Sequence, residues 1–334
     1  MQARGRGTAP PPLGIALEGD LARRIDVALA VAMLNGFATK SEARSIAFSI
    51  SRPSLKTAQI ADVLAGFYAG RPLGGSAMIG MPEGELAGDD TPFLNTLLAI
   101  KGADGTPQYT SNIRRPLDTA DDCVLIRNVL LAQNDGNASI VLAGPATGMV
   151  RLLELYGSRP QISVKVKQLV VAAGSFPAGA AEPSIKSDVA AARKLFAEWP
   201  TPLVAVGSEV GTALPYPGSS IEKDFAWATA PHPVVDAYRA FKPMPYDAPA
   251  AALAAVLYAV HPGDDYFKLS EPGTISVLDD GRTQFTAGAE GKHRYLIVDP
   301  AQKDRVIKLY TDMVSAAPAP RGGRGRGAMP EAEE

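Results

Sequence analysis

The sequence predicts an α/β fold: a mainly parallel central sheet with helices on both faces and a small C-terminal β-hairpin. Three observations carry this. Short apolar, β-branched runs alternate with stretches of helical periodicity. No apolar run approaches the ~20 residues that span a bilayer. Near the C-terminus, Asp279-Asp280-Gly281 supplies a hairpin turn between two short strand-like runs.

Residues 13–17 read as a short buried strand. Residues 25–36 then place Ile25, Leu29, Ala32 and Met33 at helical spacing, with Gly36 as the stop. Residues 44–51 read as the second strand, 55–68 as a helix, 139–143 as a strand, 147–156 as a helix and 166–173 as a valine-rich buried strand. Asp188 caps a helix over 189–199, Pro200 ends it, and 203–207 return as a strand. Helices follow at 234–241 and 250–260, hairpin strands at 274–277 and 283–286, and a closing helix at 302–314.

A chain of 334 residues suits one large domain over 13–315 better than two small ones. Residues 1–12 form a Gly/Arg/Pro tail and 316–334 an Arg-Gly tail with an acidic finish, both read as disordered. With 33 Lys plus Arg against 35 Asp plus Glu, the body has no field that would draw nucleic acid or an anionic membrane. RNA contact is left to the tails, where a solvated linker is the plainer reading. As written, the chain reads as cytoplasmic; it would be secreted or periplasmic if a signal peptide had been trimmed ahead of Met1.

The single cysteine, Cys123, has no companion thiol and reads as a buried side chain. His232, His261 and His293 show no metal-ligand spacing and read as surface or capping residues. Trp199, Trp227, Tyr216 and Phe225 read as core more readily than as a platform for a base.

Open α/β sheets bind ligands beyond the carboxyl ends of their strands. Glu18, Asp20 and Asp26 fall there, after the first strand. Three carboxylates on one turn could hold a divalent cation such as calcium, or could be helix-start charge. Arg23 and Arg24 among them could pair with these acids, hold an anion, or be solvated.

Residues 18–34, Glu-Gly-Asp-Leu-Ala-Arg-Arg-Ile-Asp-Val-Ala-Leu-Ala-Val-Ala-Met-Leu, resemble the aspartate-rich N-terminal motif of the inosine/uridine-preferring nucleoside hydrolases. Gly144-Pro-Ala-Thr-Gly148 is similar to that family's Gly-Pro-Leu-Thr-Asn, and Glu182-Pro-Ser-Ile185 to its Glu-Tyr/Phe-Asn-Val/Ile segment. Further likeness runs through Phe196-Ala-Glu-Trp-Pro, Glu209-Val-Gly, Tyr216-Pro-Gly-Ser-Ser, Tyr258-Ala-Val and Ser270-Glu-Pro-Gly, covering nearly all of 13–315.

The resemblance implies the nucleoside-hydrolase fold, hydrolysis of the N-glycosidic bond of ribonucleosides to base plus ribose, and a bound calcium ion. It places Asp20 at the position that binds the metal and acts as general base. Asp26, Glu182 and Ser184 fall at substrate-binding positions, and Thr147 at the position offering a metal-binding carbonyl. Val27 and Ala252 stand where two further metal-binding aspartates are expected. Gly148 and Ser184 replace asparagines, and Ser51-Arg-Pro-Ser54 lacks another.

These departures imply a weak or absent calcium site and a protein of low activity or none. One alternative is an active calcium-dependent N-ribohydrolase with a rebuilt site, for which Asp247 lies close to Ala252 in sequence. Another is a non-catalytic scaffold whose Arg-Gly tails contact RNA. The implied partners are a nucleoside or ribose-like small molecule and further copies of the chain, with no membrane.

Overall fold

The first strand, β1 (Leu13–Gly19), sends Ile15 and Leu17 into one apolar core and Ala16 into the other. That is the pattern of a central parallel strand covered on both sides by helices. The structure, a computed structural model, describes residues 11–69, 78–86, 91–229 and 231–318. The tails read at 1–12 and 316–334 therefore lie almost wholly outside the described residues.

After β1 come α1 (Ile25–Thr39), β2 (Ala43–Ile50), α2 (Leu55–Tyr68), β3 (Ile79–Met81), α3 (Pro92–Ala99), β4 (Ala120–Asp121) and α4 (Asp122–Leu131). The chain continues through β5 (Ala138–Ala143), α5 (Thr147–Glu154), α6 (Ser158–Lys165), β6 (Val166–Val171), α7 (Pro183–Ser187), α8 (Val189–Glu198) and β7 (Leu203–Ala205). It closes with α9 (Ser208–Ala213), α10 (Gly218–Lys223), α11 (Pro233–Phe241), α12 (Ala251–Val260), β8 (Phe267–Leu269), β9 (Gly273–Val277), β10 (Thr283–Ala287), β11 (His293–Val298) and α13 (Lys303–Val314).

The sheet order is β10-β9-β11-β7-β6-β5-β1-β2-β3-β4, with β8 added beside β11. Pairings from β4 through β7 to β11 are parallel, while β8, β9 and β10 join antiparallel. The predicted sheet and the C-terminal hairpin are both present, the hairpin turning through Gly281 at φ 82°.

Two helices are buried on every side. In α1 every residue from Ile25 to Leu34 is buried, as is Ala251 through Ala259 of α12. A helix apolar all round belongs inside a protein, and α1 packs against α12, α13 and β2. The expectation that Gly36 stops α1 is corrected: the helix runs on to Thr39. Gly36 serves close packing instead, since a Cβ there would lie 2.3 Å from the carbonyl oxygen of Met313.

The caps follow the sequence. Ser54 Oγ accepts from Thr57 N at 3.1 Å to start α2, and Asp188 Oδ1 accepts from Ala191 N at 2.9 Å to start α8. The helix expected over 147–156 stops at Glu154, and Gly157 at φ 78° leads into α6.

Two of the three histidines are buried rather than at the surface, although His232 does occupy the N-cap position of α11, without a side-chain cap. His232 is buried beside Phe67, Tyr68, Phe225 and Trp227, with ring centroids 4.5, 5.9, 4.8 and 5.5 Å away. Neither of its ring nitrogens has a hydrogen-bond partner among the described residues, and burial lowers its pKa to about 4. His293 is also buried; its Nδ1 accepts from Ile275 N at 2.9 Å. His261 stays partly exposed between Glu42 and Asp264.

Trp199, Tyr216 and Phe225 are core residues, whereas Trp227 is exposed and donates to Ser315 O at 2.7 Å. No helix among the described residues is long and apolar enough to cross a membrane.

Candidate ligand-binding site

β1 sits where the strand order reverses, with β2 on one side and β5 on the other. Loops leaving such a point diverge and open a crevice. A cavity of about 730 Å³ lies there, lined by Asp20, Arg23, Arg24, Asp26, Arg52 and Glu182 over an apolar floor that includes Ala172 and Val206. Asp20 is pinned through its backbone: its N–H donates to Ala143 O, and its carbonyl accepts from the N–H groups of Arg23 and Arg24, all at 3.0 Å. That turn folds both arginines back over the acids.

Arg24 is fully engaged. Its Nε and Nη2 donate to Asp26 Oδ1 and Oδ2 at 3.1 and 2.9 Å, a bidentate pair, while Nη1 donates to Ala172 O at 2.7 Å. Burial works against the guanidinium charge, but the charge and hydrogen bonds of Asp26, with the charges of Glu182 and Asp20, more than offset it and raise the Arg24 pKa.

Asp26 Oδ2 also accepts from Ala252 N at 2.8 Å. No side chain of its own caps α12. Asp26 therefore caps α12 from a neighbouring helix, where the positive end of the helix dipole favours a carboxylate.

Asp20 is held by two further cations. Arg52 Nε donates to Asp20 Oδ2 at 2.9 Å, and Arg23 Nη1 reaches the same oxygen at 3.4 Å. The part played by Arg52 was not foreseen from sequence. The available signal was its position just past β2, the strand beside β1.

Glu182 and Ser184 line the cavity and bond to each other. Glu182 Oε1 accepts from Ser184 Oγ at 3.1 Å, and Oε2 accepts from the N–H groups of Ser184 and Ile185 at 3.0 and 3.2 Å, capping α7. Thr147 is elsewhere: it is exposed at the start of α5, its Oγ1 donating to Asp188 Oδ2 at 2.6 Å, and it does not line the cavity. Asp247 is likewise outside the lining and accepts from Gly218 N at 2.8 Å. The structure thus brings Asp20, Asp26, Glu182 and Ser184 together and leaves Thr147 out.

The residues present do not fit a calcium ion, which needs several oxygen ligands free to converge. Val27 is buried beside Gly19, where a Cβ would lie 2.6 Å from Val27 Cγ1. Ala252 offers the site only its N–H, already given to Asp26. Of the candidate ligands only Asp20 and Asp26 line the cavity; Oδ2 of Asp20 is held by guanidinium groups, and both oxygens of Asp26 are taken by Arg24 and Ala252 N.

Glu18, a candidate ligand from sequence, is corrected by the geometry. It pairs with Ser49 of β2 and Leu142 of β5 and points to the far side of the sheet, because alternate strand residues face opposite ways. Neither carboxylate oxygen has a hydrogen-bond partner among the described residues. Burial and then the Asp122 charge push its pKa well up, opposed by Arg151. On that side Asp121, Asp122 and Cys123 bring ligand-type atoms within 4.8 Å of one another. Arg151 already pairs with both aspartates, at 2.8 and 2.9 Å, and the Cys123 thiol donates to Asp122 Oδ1 at 3.3 Å.

No family model and no curated protein matches this sequence. Solved structures do. A plant nucleoside hydrolase is similar over 92% of this chain and 100% of its own, at TM-score 0.67 and 20% identity. The inosine-uridine preferring nucleoside hydrolase from Bacillus anthracis is similar over 91% and 99%, at 0.62 and 14%. The type III effector protein XopQ, complexed with adenosine diphosphate ribose, is similar over 93% and 94%, at 0.61 and 13%. The chain has the nucleoside-hydrolase fold.

Proposed function

We propose that this chain is a single-domain, self-associating nucleoside-hydrolase-like protein that binds a ribose-bearing ligand in the cavity after β1 and hydrolyses ribonucleosides weakly or not at all. The observation that carries the reading is the Arg24 guanidinium bonded to Asp26 and Ala172 O. N-glycosidic cleavage builds positive charge on the ribose ring and needs an activated water. Three arginines line the cavity, cations that would oppose such charge, and Asp20, the acid expected to take the proton from water, is bonded to Arg52. Binding makes no such demand.

The size of the cavity supports the reading, since clefts of ~300–1,000 Å³ enclose small ligands. So does the fold, which in the XopQ structure accompanies a ribose-containing molecule. Ribose release from inosine and uridine, at high protein concentration with added calcium, tests it beside an Asp20→Ala control. The expected result is no release above that control. Release that the substitution abolishes would sink the reading and select a rebuilt, working site.

A further inference from the structure

Resting on that reading, we infer that the ligand carries a phosphate on its ribose and that Arg23 and Arg52 receive it. The argument starts from unequal use of the three guanidinium groups. Arg24 uses Nε and both Nη atoms. Arg52 makes one hydrogen bond, through Nε, and its two Nη groups donate to nothing among the described residues. Arg23 makes one long contact of 3.4 Å through Nη1, leaving Nε and Nη2 without an acceptor among the described residues. Both side chains line the cavity and remain partly open to solvent, 55% exposed for Arg23 and 30% for Arg52.

The charges divide the cavity into two ends. Arg23 and Arg52 lean on one oxygen of one carboxylate, so Asp20 balances one of two positive charges. Asp26 is balanced by Arg24, and the Glu182 carboxylate is occupied in capping α7. The excess positive charge therefore lies at the Asp20 end. The start of α1 adds to it: no side chain caps this helix, and Ile25 and Asp26 of its first turn line the same cavity. Uncapped helix N-termini carry partial positive charge and favour anions.

Paired guanidinium N–H groups match phosphate oxygens in spacing and charge. A neutral nucleoside offers nothing of equal strength to these donors. The hydroxyls of Ser187, Ser208 and Thr212 and the floor of Ala172 and Val206 remain for the sugar and base. The ligand class is a ribose phosphate, a nucleoside monophosphate or a longer nucleoside phosphate.

Isothermal titration of the full chain at low salt tests this with inosine 5′-monophosphate, ribose 5-phosphate, inosine and inorganic phosphate. The monophosphate is expected to bind about tenfold or more tightly than inosine, as a charge-assisted pair implies. Arg23→Gln and Arg52→Gln should each weaken monophosphate binding more than inosine binding and so remove most of that preference, and Arg23→Lys should retain part of it. Raising the salt should shrink the preference. Equal affinity for inosine and its monophosphate would overturn the inference and leave the ribose-binding reading standing. Inorganic phosphate binding as tightly as the monophosphate would overturn it too, showing an anion site blind to ribose. No binding of any sugar-containing probe would overturn both.

Discussion

Glu18 and Gly148 fill one space: a Cβ on residue 148 would lie 2.5 Å from Glu18 Oε1 and 2.7 Å from Oε2. The Glu18 carboxylate on β1 occupies room that a side chain on α5 would need, so the two positions are coupled by packing. Gly148→Ala should destabilise the chain by about 1–3 kcal/mol through overpacking, and adding Glu18→Asp should recover part of it. Urea denaturation of the four proteins of the cycle measures the coupling; additivity within about 0.5 kcal/mol would show the positions to be independent.

Glu18 also sets a pH dependence. Its carboxyl titrates well above the ordinary value of 4.5, through burial first and the Asp122 charge second. The folded state therefore holds the proton more tightly than the unfolded chain. The stability so contributed is full below about pH 4.5 and is lost as pH rises through the folded value. Glu18→Gln, which cannot ionise, should flatten this part of the stability–pH curve and be the more stable protein at pH 8. Denaturation midpoints from pH 4 to 8 decide, and parallel curves for the two proteins would refute the assignment.

His232 acts in the opposite direction. Its folded value is lowered from 6.5 to about 4 by burial among aromatic rings. The stability it contributes is present above about pH 6.5 and is lost as pH falls towards 4, by up to about 3 kcal/mol at the conversion of ~1.4 kcal/mol per unit. NMR titration of the histidine ring signals should show one that stays neutral at pH 5.5. A His232 ring titrating near 6.5 would contradict its burial.

Arg24 and Asp26 form a largely buried pair, with 17% and 6% of their side chains exposed. Arg24→Ala leaves the Asp26 carboxylate without its cation and should destabilise the fold by about 3 kcal/mol. Asp26→Asn should do less harm to α12, because an amide oxygen can still cap the Ala252 N–H. Thermal or urea unfolding of the two variants checks that order.

The same pair predicts the response to metal. The natural chain should show no calcium-dependent shift in Tm. The combined variant Arg24→Gly, Val27→Asp and Ala252→Asp removes the guanidinium and returns two carboxylates, and should gain one. A shift of equal size in both proteins would mean that calcium binds somewhere other than this cavity.

The fold was legible because strands buried on both faces write continuous apolar runs into the chain, as in residues 139–143 and 166–171. The short strands β3 and β4 at one end of the sheet were not, being only three and two residues long and set among loops. The carboxylates after β1 could be found by position, and the pairing of Arg23 and Arg24 with them was one of the alternatives the sequence left open.

Their remaining partners left no trace in residue type. Asp26 bonds to a backbone N–H at Ala252 and Arg24 to a backbone carbonyl at Ala172, and any residue offers those groups. Glu18 was misplaced by the strand end: β1 runs to Gly19, and alternation from Ala16 then turns Glu18 away from the cavity. His232 was read as a surface residue because Phe67 and Tyr68, which help to enclose it, lie far away in sequence.

The close approach of Gly36 to Met313 ties the two ends of the chain's history together. The helix that presents Asp26 at one end is seated at the other by α13, and Asn35 Nδ2 reaches Ala316 O at 3.3 Å. During synthesis α1 precedes by more than 200 residues two of the helices that cover it, α12 and α13. A growing chain therefore carries this buried helix without part of its cover until residues 303–316 have been made, and the end of α1 that presents Asp26 depends for its seating on contacts distant in sequence.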